Sequence, residues 1–465
     1  MSFVQPAFLL FLPVVLVVYW GLGRRRWQNA WLLGASLVFY GWVHPWFLGL
    51  LAFSTLVDWG AALGMARWPA RRRALLAVSL VANLGMLAAF KYWNFFLENA
   101  GAALGALGLH PGLPALQVLL PVGISFYTFQ NLSYTIDVYR GRIEPRRDLL
   151  DYATFVTMFP QLVAGPVERA AHLLPQLEAP RRFDATRLRQ GLTLALWGAF
   201  QKVVIADSLA PYVDRVFSVH QPSLALLAAG GVAFSLQILA DFAGYTDIAR
   251  GTARMMGFEL LQNFDAPYAA RTPPELWRRW HMSFSTWIRD YLYLPLGGSR
   301  GPAWRVAAVT LITMLLAGLW HGASWNFVAW GAFHGLLLVA FRPFRGGVER
   351  ALARHPHLGL LAVPAMYSLT CAGWVLFRQQ DLAVVGRALL HPAGSVPAAQ
   401  AVIAVALLGL SAAAAMPLLA ARALRRRLVA SGWEPFWSPL LWAALAACLF
   451  LFAREAGRDF IYFRF

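Results

Sequence analysis

Charged residues are scarce in this chain. They make up 13% of its 465 residues, whereas hydrophobic residues make up 59%, and the mean hydropathy is +0.54. A soluble globular domain carries about 25% charged residues. The composition therefore excludes a soluble domain and indicates an integral membrane protein.

Cysteine is almost absent as well. The two cysteines, Cys371 and Cys448, both fall in apolar segments and show no metal-binding spacing. This pattern argues against a disulfide-stapled scaffold and a cysteine metal site, and it favours packing of both side chains in the core.

Several catalytic motifs are missing too. The sequence has no Gly-x-Ser-x-Gly nucleophile elbow, no glycine-rich phosphate loop and no His-Glu-x-x-His metal site. These absences argue against an α/β-hydrolase, a P-loop NTPase and a zinc metalloprotease. We expect neither a bound metal nor a bound cofactor.

Long apolar runs dominate what is present. They lie at about 4–21, 29–43, 46–66, 74–90, 116–136, 190–206, 223–248, 306–320, 327–341, 358–377, 400–421 and 436–453. Their length predicts an all-α, multi-pass membrane helical bundle of about 11–12 spans plus re-entrant segments. Because no basic region precedes the first run and no small-residue cleavage site follows it, it is expected to span rather than to be a cleavable signal.

The net charge of +18 is concentrated between these runs. Placing the arginine-rich connections inside makes the chain alternate sides without conflict and leaves both termini extracytoplasmic. This is the positive-inside bias of a bacterial inner membrane protein. It predicts contact with membrane lipid and argues against nucleic acid as a partner.

One integral membrane domain is predicted over 1–465, because no linker, repeat or low-complexity tract divides the chain. The run 152–166 is short and is broken by Pro160, Gly165 and Pro166, which favours a re-entrant segment. The connection 249–305 is predicted to be a largely cytoplasmic-side amphipathic segment.

Within that connection, Thr272 and Pro273 predict a capped helix start. Aromatic and aliphatic residues follow at three- and four-residue spacing, namely Trp277, Trp280, Phe284, Trp287, Ile288 and Tyr291. Two interpretations of Arg278 and Arg279 stay open: they anchor an interfacial helix to lipid headgroups, or they attract an anionic acyl carrier. Likewise, His281 either packs beside the aromatic stripe or has a function.

The stretch 311–335 places His321 between two apolar runs, with four glycines nearby. A histidine at membrane depth marks a functional site by default, since hydrocarbon offers nothing to solvate its ring. Each flanking run of about fifteen residues spans roughly 22 Å, less than the roughly 30 Å hydrocarbon core. We therefore expect a broken-helix turn that ends below the outer surface, in a polar pocket closed to lipid.

A neutral imidazole at this position can take the proton of a hydroxyl as that hydroxyl attacks an acyl carbonyl. Asn326 or Ser324 could orient the ring or stabilise an oxyanion. His334, on an apolar helix face, is expected to pack. The carboxyl groups at membrane depth, such as Asp58, Asp241 and Asp247, leave open a proton-coupled transporter.

Five stretches resemble the membrane-bound O-acyltransferase family, and within it the alginate O-acetylase branch. They are LPVGISFYTFQ at 120–130, FPQLVAGP at 159–166, DFAGYTDIA at 241–249, WRRWHMS at 277–283 with WIRDY at 287–291, and GLWHG at 318–322. The tail at 460–465 is similar as well. The resemblance covers nearly the whole chain.

This resemblance implies a helical bundle around a central channel, in which a cytoplasmic thioester donor meets an acceptor from the other side. The family's catalytic histidine falls on His321, and its second characteristic histidine falls on His281, which is expected nearer the cytoplasmic side. The residues expected to bind substrate are Asn326, Trp320, Trp280, Arg278 and Arg279.

The resemblance further implies an O-acetyltransferase that moves acetyl from acetyl-CoA or another acetyl thioester across the inner membrane. The acceptor is an exported polysaccharide, with alginate as the leading candidate and cellulose or peptidoglycan as others. A separate extracytoplasmic acetyltransferase is the expected partner. The rival hypothesis is a non-catalytic transporter or flippase for the polysaccharide or its precursor.

Overall fold

The apolar runs of the sequence are helices in the structure. The computed structural model describes residues 1–109, 112, 114–116, 119–163, 165–390, 397–431, 434–452 and 460. For 422–431 and 434–436 it describes the backbone alone. Among the described residues there is no β-strand, so the all-α prediction is confirmed. The family-like tail after Phe460 lies outside the described residues.

The helices are, in chain order, α1 Pro6–Gly21, α2 Arg25–Gly41, α3 Phe47–Arg67, α4 Arg72–Leu87, α5 Trp93–Ala106, α6 Ile124–Tyr139, α7 Leu149–Thr157, α8 Phe159–Leu162, α9 Ala170–Glu178, α10 Ala185–Phe200, α11 Asp207–Phe217, α12 Leu224–Met255, α13 Pro273–Arg279, α14 Met282–Ile288, α15 Ala303–His321, α16 Trp325–Phe341, α17 Arg345–Arg354, α18 Gly359–Arg378, α19 Leu382–Leu390, α20 Ala398–Ser431 and α21 Glu434–Phe452. Single π-helical turns at Ala88–Tyr92 and Gln201–Ala206 join α4 to α5 and α10 to α11, and a third follows α14 at Arg289–Tyr293.

Eight helices in the described part of the chain are long and apolar enough to cross a membrane. They are Phe47–Arg67, Pro69–Ala106, Ala185–Phe217, Leu224–Met255, Ala303–His321, Trp325–Arg354, Pro356–Arg378 and Ala398–Ala421. Two shorter apolar helices lie at Pro6–Gly21 and Trp437–Phe452. The multi-pass prediction is confirmed, while the number of 11–12 spans stays a prediction.

The chain divides into two compact units. The first comprises Met1–Leu192 and Ala249–Leu261, and the second comprises Thr193–Ile248 and Gln262–Phe465. In the first unit, α3 packs against α4 and α6, and α2 packs against α7. In the second, α16 packs against α15, α18 and α13.

A buried carboxyl group in the first unit is paired with its neighbours. Asp58 on α3 is fully buried and accepts hydrogen bonds from Ser79 and Asn83 on α4. Such pairing is required where water is absent, because an unsatisfied polar group in hydrocarbon costs several kcal/mol.

The run 152–166 is broken in the structure, as the sequence predicts. Helix α7 ends at Thr157, and the four-residue α8 follows after Met158, whose φ of −48° and ψ of 110° are not helical. All four residues of α8 are buried. Its re-entrant placement in the membrane stays a prediction.

The predicted single amphipathic helix after Thr272 is wrong. Thr272 does cap α13, accepting a hydrogen bond from the Glu275 backbone N–H, but the helix ends after seven residues at Arg279. Trp280 is extended and His281 is left-handed, and α14 begins only at Met282. The aromatic residues of this segment therefore point to several neighbours rather than lying along one helix face.

Helices α15 and α16 form a hairpin whose backbones approach closely at glycines. A Cβ atom on Gly318 would lie 2.1 Å from the Phe327 carbonyl oxygen, and one on Gly331 would lie 2.3 Å from the Met314 carbonyl oxygen. Because dispersion rather than the hydrophobic effect holds helices together in lipid, small residues at such contacts matter.

The hairpin helices are longer than the fifteen residues predicted. Helix α15 has 19 residues and α16 has 17, so they reach about 28 Å and 26 Å, close to the roughly 30 Å hydrocarbon core. The length of the two helices therefore gives no reason to place the turn below the outer surface. Its depth stays a prediction.

We predict that Gly331→Ala destabilises the hairpin by about 3 kcal/mol, because the added methyl group meets a backbone carbonyl that cannot rotate away. The thermal unfolding midpoint of the purified protein in detergent would measure this loss. Gly409→Ala on α20 is the matched control, since a Cβ there meets nothing within 4 Å. Equal midpoints for both variants would contradict the close approach.

Candidate active site

His321 is the last residue of α15 and lies at the turn into α16. Its side chain is buried, with 4% of the residue exposed. The ring meets Trp330 edge-on, with centroids 5.0 Å apart, and packs against Phe377 of α18 at 5.3 Å. The prediction of a histidine on a broken-helix turn is confirmed, and aromatic rings form much of its surroundings.

His281 occupies an unusual backbone position. Its φ of 42° and ψ of 54° are left-handed, a region that is uncommon for residues other than glycine, although asparagine, aspartate and histidine enter it more often than the rest. The residue is fully buried, and its ring is stacked on Phe284 at 4.9 Å and meets Phe242 edge-on at 4.7 Å.

The two histidines share neighbours. The Phe284 ring centroid lies 4.9 Å from that of His281 and 5.5 Å from that of His321. Trp320 lies 6.0 Å from His281 and 5.0 Å from His321. We call these four residues the histidine cluster. That His281 lies nearer the cytoplasmic side stays a prediction.

Burial decides the charge state of His281. Because the ring is removed from water, its pKa is lowered from 6.5 to about 3, so it is neutral at physiological pH. Neither ring nitrogen has a hydrogen-bond partner within the described part of the chain. Buried polar atoms are rarely without a partner, and a neutral imidazole in this state can accept a hydrogen bond from a substrate.

Asn326 is buried on the first turn of α16, and its Nδ2 donates to the Phe377 carbonyl oxygen at 2.8 Å. This contact ties the end of α18 to the hairpin and places the Phe377 ring against His321. The Asn326 Oδ1 has no hydrogen-bond partner among the described residues. This oxygen is therefore a buried hydrogen-bond acceptor on a residue that contacts Phe377, a neighbour of His321.

Trp280 lies in a second aromatic layer rather than in the histidine cluster. Its ring is 4.8 Å from Trp374 and 4.9 Å from Phe264. Trp374 in turn packs against Phe377 at 5.4 Å. Trp280 therefore contacts the site indirectly, through Trp374 and Phe377, which lie far from it in the sequence.

Arg278 and Arg279, adjacent in sequence, differ in their surroundings. Arg279 donates to Glu275 at 3.0 Å and lies 3.7 Å from Asp265, so its charge is neutralised locally. Burial raises the pKa of Glu275, but hydrogen bonds from Arg271 and Arg279 outweigh it and keep the pKa below its usual value. Arg278 is exposed and has no ion-pair partner among the described residues.

Arg278 lines a cavity of about 350 Å³. The cavity is bounded by Arg271, Thr272, Glu275, Arg278, Arg345, Glu349, Leu352 and Ala353. Arg271 and Arg345 each pair with one of the glutamates, at 3.3 Å and 3.1 Å. The sequence did not single out Arg271 or Arg345, because nothing local shows that α17 meets α13.

His334 packs, as the sequence predicts. It is buried between the rings of Trp277 at 5.3 Å and Trp330 at 4.9 Å. A Cβ on Gly373 would come 2.8 Å from its Nε2, so α18 also presses against it.

Two carboxylates of the DFAGYTDIA stretch have partners on the turn that joins α10 to α11. Lys202 is 2.6 Å from Asp241 and 2.9 Å from Asp207, and all three side chains are less than 10% exposed. Gln201 donates to Asp247 at 3.0 Å. These contacts give the carboxylates a structural role. Across the described ranges, no group of three or more His, Cys, Asp or Glu side chains could hold a metal ion.

The fold defines an integral membrane protein in which two histidines share one buried cluster. The profile of the membrane-bound O-acyltransferase (MBOAT) family matches residues 145–373, which include both histidines. Relatives of known name agree with this match over most of the chain. The protein belongs to the MBOAT family and is an O-acyltransferase.

The probable alginate O-acetylase AlgI of Azotobacter vinelandii is 41% identical over 384 residues, 81% of this chain and 75% of that relative. The probable alginate O-acetylase AlgI of Pseudomonas aeruginosa is 40% identical over 81% of this chain and 72% of its own length. The peptidoglycan O-acetyltransferase of Helicobacter pylori is 32% identical, covering 80% and 76%.

We predict that His281 makes the protein less stable in acid. Its pKa of about 3 lies below the unfolded value of 6.5, so the unfolded chain binds the proton first. Stability is complete above pH 6.5 and falls as the pH drops, by up to about 1.4 kcal/mol per pH unit. Thermal midpoints between pH 7.5 and pH 5 would show this slope.

The comparison variant is His281→Asn, because asparagine tolerates the left-handed backbone and does not titrate. Its midpoint starts lower, owing to the lost volume, but should fall less steeply with acid. An equal slope in both proteins would show that the His281 ring is solvated in the native state.

Proposed function

We propose that this protein is an inner-membrane O-acetyltransferase for an exported polysaccharide. In this proposal, acetyl is taken from a cytoplasmic thioester, acetyl-CoA first among candidates, and is passed outward. The observation that carries it is the histidine cluster, in which two buried imidazoles share Phe284 and Trp320. Membership of an O-acyltransferase family makes acyl transfer the reaction for such a pair.

His321 is assigned as the general base. The acceptor hydroxyl gives its proton to the imidazole while its oxygen attacks the thioester carbonyl carbon. A C–O bond forms and the C–S bond breaks. The thiolate then leaves with the proton that the imidazole returns. His281, neutral and buried beside the same rings, is assigned to orient or bind the donor.

The substrate contacts follow from position. Trp320 lines the cluster, and Asn326 is assigned to bind substrate through its Oδ1, which has no hydrogen-bond partner among the described residues. Trp280 supports the site through Trp374. Arg279 is assigned to shaping the cavity, since its charge is taken up by Glu275 and Asp265.

Arg278 is assigned to the anionic end of the donor. Its cavity also includes Arg345, the first residue of α17, which the turn Arg342–Phe344 separates from the end of α16. Trp330 on α16 contacts His321. From Trp330 to Phe341 the helix rises about 17 Å, at about 1.5 Å per residue. In a coenzyme A thioester, a long pantetheine arm separates the phosphates from the reacting carbonyl. A donor of this kind suits the distance between the Arg278 cavity and His321.

The identity of the acceptor and the orientation of the chain in the membrane are also part of the proposal. The named relatives are two probable alginate O-acetylases and a peptidoglycan O-acetyltransferase, which supports a polysaccharide acceptor, with alginate first and peptidoglycan or cellulose as others. A separate extracytoplasmic acetyltransferase is the proposed partner protein. Residues 1–465 form one integral membrane domain, with 249–305 largely on the cytoplasmic side and both termini extracytoplasmic.

The rival hypothesis of a non-catalytic transporter loses support. Family membership supplies an enzymatic role.

We predict that His321→Ala lowers acetyl transfer by about 10²- to 10⁴-fold, which is what a general base contributes. Inverted membrane vesicles of the host, given labelled acetyl-CoA, would report label transferred to polymer. His355→Ala is the control, because this histidine is exposed and lies outside the cluster. Transfer at the wild-type rate by His321→Ala protein present at normal level would refute the role of His321.

We also predict that Arg278→Glu raises the KM for acetyl-CoA about tenfold or more, while kcat changes little. Reversing the charge removes an attraction that acts at binding and is felt equally in the transition state. The increase should shrink at high salt, since exposed charges are screened.

Arg215→Glu serves as the matched variant, since Arg215 is an exposed arginine on α11 that does not line the cavity. If both substitutions leave the KM unchanged, Arg278 faces lipid headgroups or solvent rather than the donor.

A further inference from the structure

The backbone of His281 is left-handed. Within the described ranges, Ala266 and His281 are the non-glycine residues with positive φ. Strained positions of this kind persist only where the surrounding structure over-determines them, and they cluster at functional sites. Backbone and side-chain hydrogen bonds from a neighbouring segment hold the turn from Trp280 to Met282.

Two backbone hydrogen bonds bracket the turn. The Asp265 N–H donates to the Arg279 carbonyl at 3.0 Å, and the Met282 N–H donates to the Asn263 carbonyl at 2.9 Å. The segment 263–265 thus runs alongside the break between α13 and α14. His281 lies between the two bonded positions and cannot relax to a helical conformation without losing one of them.

The Asn263 side chain makes two further contacts. Its Oδ1 accepts from the Ser283 hydroxyl at 2.6 Å, and its Nδ2 donates to the Thr246 hydroxyl at 3.2 Å. All three residues are at most 2% exposed. One amide therefore joins α12, the 263–265 segment and the first turn of α14.

Helix α12 reaches the same turn at a second point. Phe242, one helical turn before Thr246 and on the same face, places its ring 4.7 Å from that of His281. The backbone of the turn is thus fixed by Asn263 and Thr246, and the imidazole is fixed by Phe242 and Phe284.

We propose that Asn263 is a positioning residue, which holds His281 in its left-handed turn so that the imidazole faces the substrate beside His321. The proposal rests on the proposed function of His281. Asn263 need not touch the reacting atoms. Its effect is exerted through Ser283 and through the Met282 N–H, the groups that follow His281 in the chain.

The test uses Asn263→Ala and the milder Ser283→Ala, which removes only the hydroxyl donor. Inverted membrane vesicles of the host would be given labelled acetyl-CoA as the probe. Displacement of a reacting group by about 1 Å can lower a rate about 100-fold, so kcat should fall about 10- to 100-fold. The KM for acetyl-CoA should stay within about twofold, since Arg278 and its cavity are untouched.

The pH profile separates positioning from general damage. The rings facing His281, those of Phe242, Phe284 and Trp320, do not titrate, and the nearby titratable group is His321. A displaced His281 ring would meet water and regain its ordinary pKa, so it would be protonated at pH 5.5. The ratio of rates at pH 5.5 and pH 8 should therefore fall below that of wild type.

Combination with His281→Ala completes the test. If Asn263 acts through His281, adding Ser283→Ala or Asn263→Ala to His281→Ala should lower the residual rate less than twofold. Thr246→Ser, which keeps the hydroxyl, should retain most activity, whereas Thr246→Val should not.

The outcomes are distinguishable. If His281→Ala alone transfers acetyl at the wild-type rate, the proposed function of His281 fails and the positioning inference fails with it. If His281→Ala is impaired but folded Asn263→Ala and Ser283→Ala proteins keep wild-type kcat and pH ratio, the positioning inference alone is overturned. The positioning inference is also overturned if kcat of Asn263→Ala and of Ser283→Ala falls by the same factor at pH 5.5 and at pH 8.

Discussion

The close approach of α15 and α16 is the contact on which the candidate active site depends. Gly318 and Gly331 let the two backbones meet at carbonyl groups, and this sets where the hairpin ends. Trp330 then lies beside His321, and Trp320 lies between His321 and His281. With larger residues at the two glycines, the rings that hold both imidazoles could not converge.

The sequence predicted much of this architecture for physical reasons. Apolar runs must become helices in lipid, because every backbone polar group has to be paired within the chain. The turn at His321 was predictable, since a histidine and glycines interrupt an apolar run there. Thr272 with Pro273 marked a helix start, and the structure shows that cap.

The break at His281 could not be predicted from local pattern. The aromatic spacing from Trp277 to Tyr291 continues through it as if one helix ran unbroken. The left-handed turn is instead imposed by Asn263 and Asp265, which lie on a neighbouring segment. In the same way, the difference between Arg278 and Arg279 depends on tertiary partners, and the role of Phe377 depends on α18 meeting the hairpin.

The aromatic walls around His281 and His321 have a consequence for selectivity between nucleophiles. Water is far more abundant than any sugar hydroxyl, and it attacks thioesters too. Rings packed against both imidazoles, with at most 5% of His281, His321, Phe284 or Trp320 exposed, keep bulk water away from the two histidines. A dry site of this kind protects a reactive group from hydrolysis until its acceptor arrives. Under the proposed function, the packing that holds the histidines also protects the acyl group.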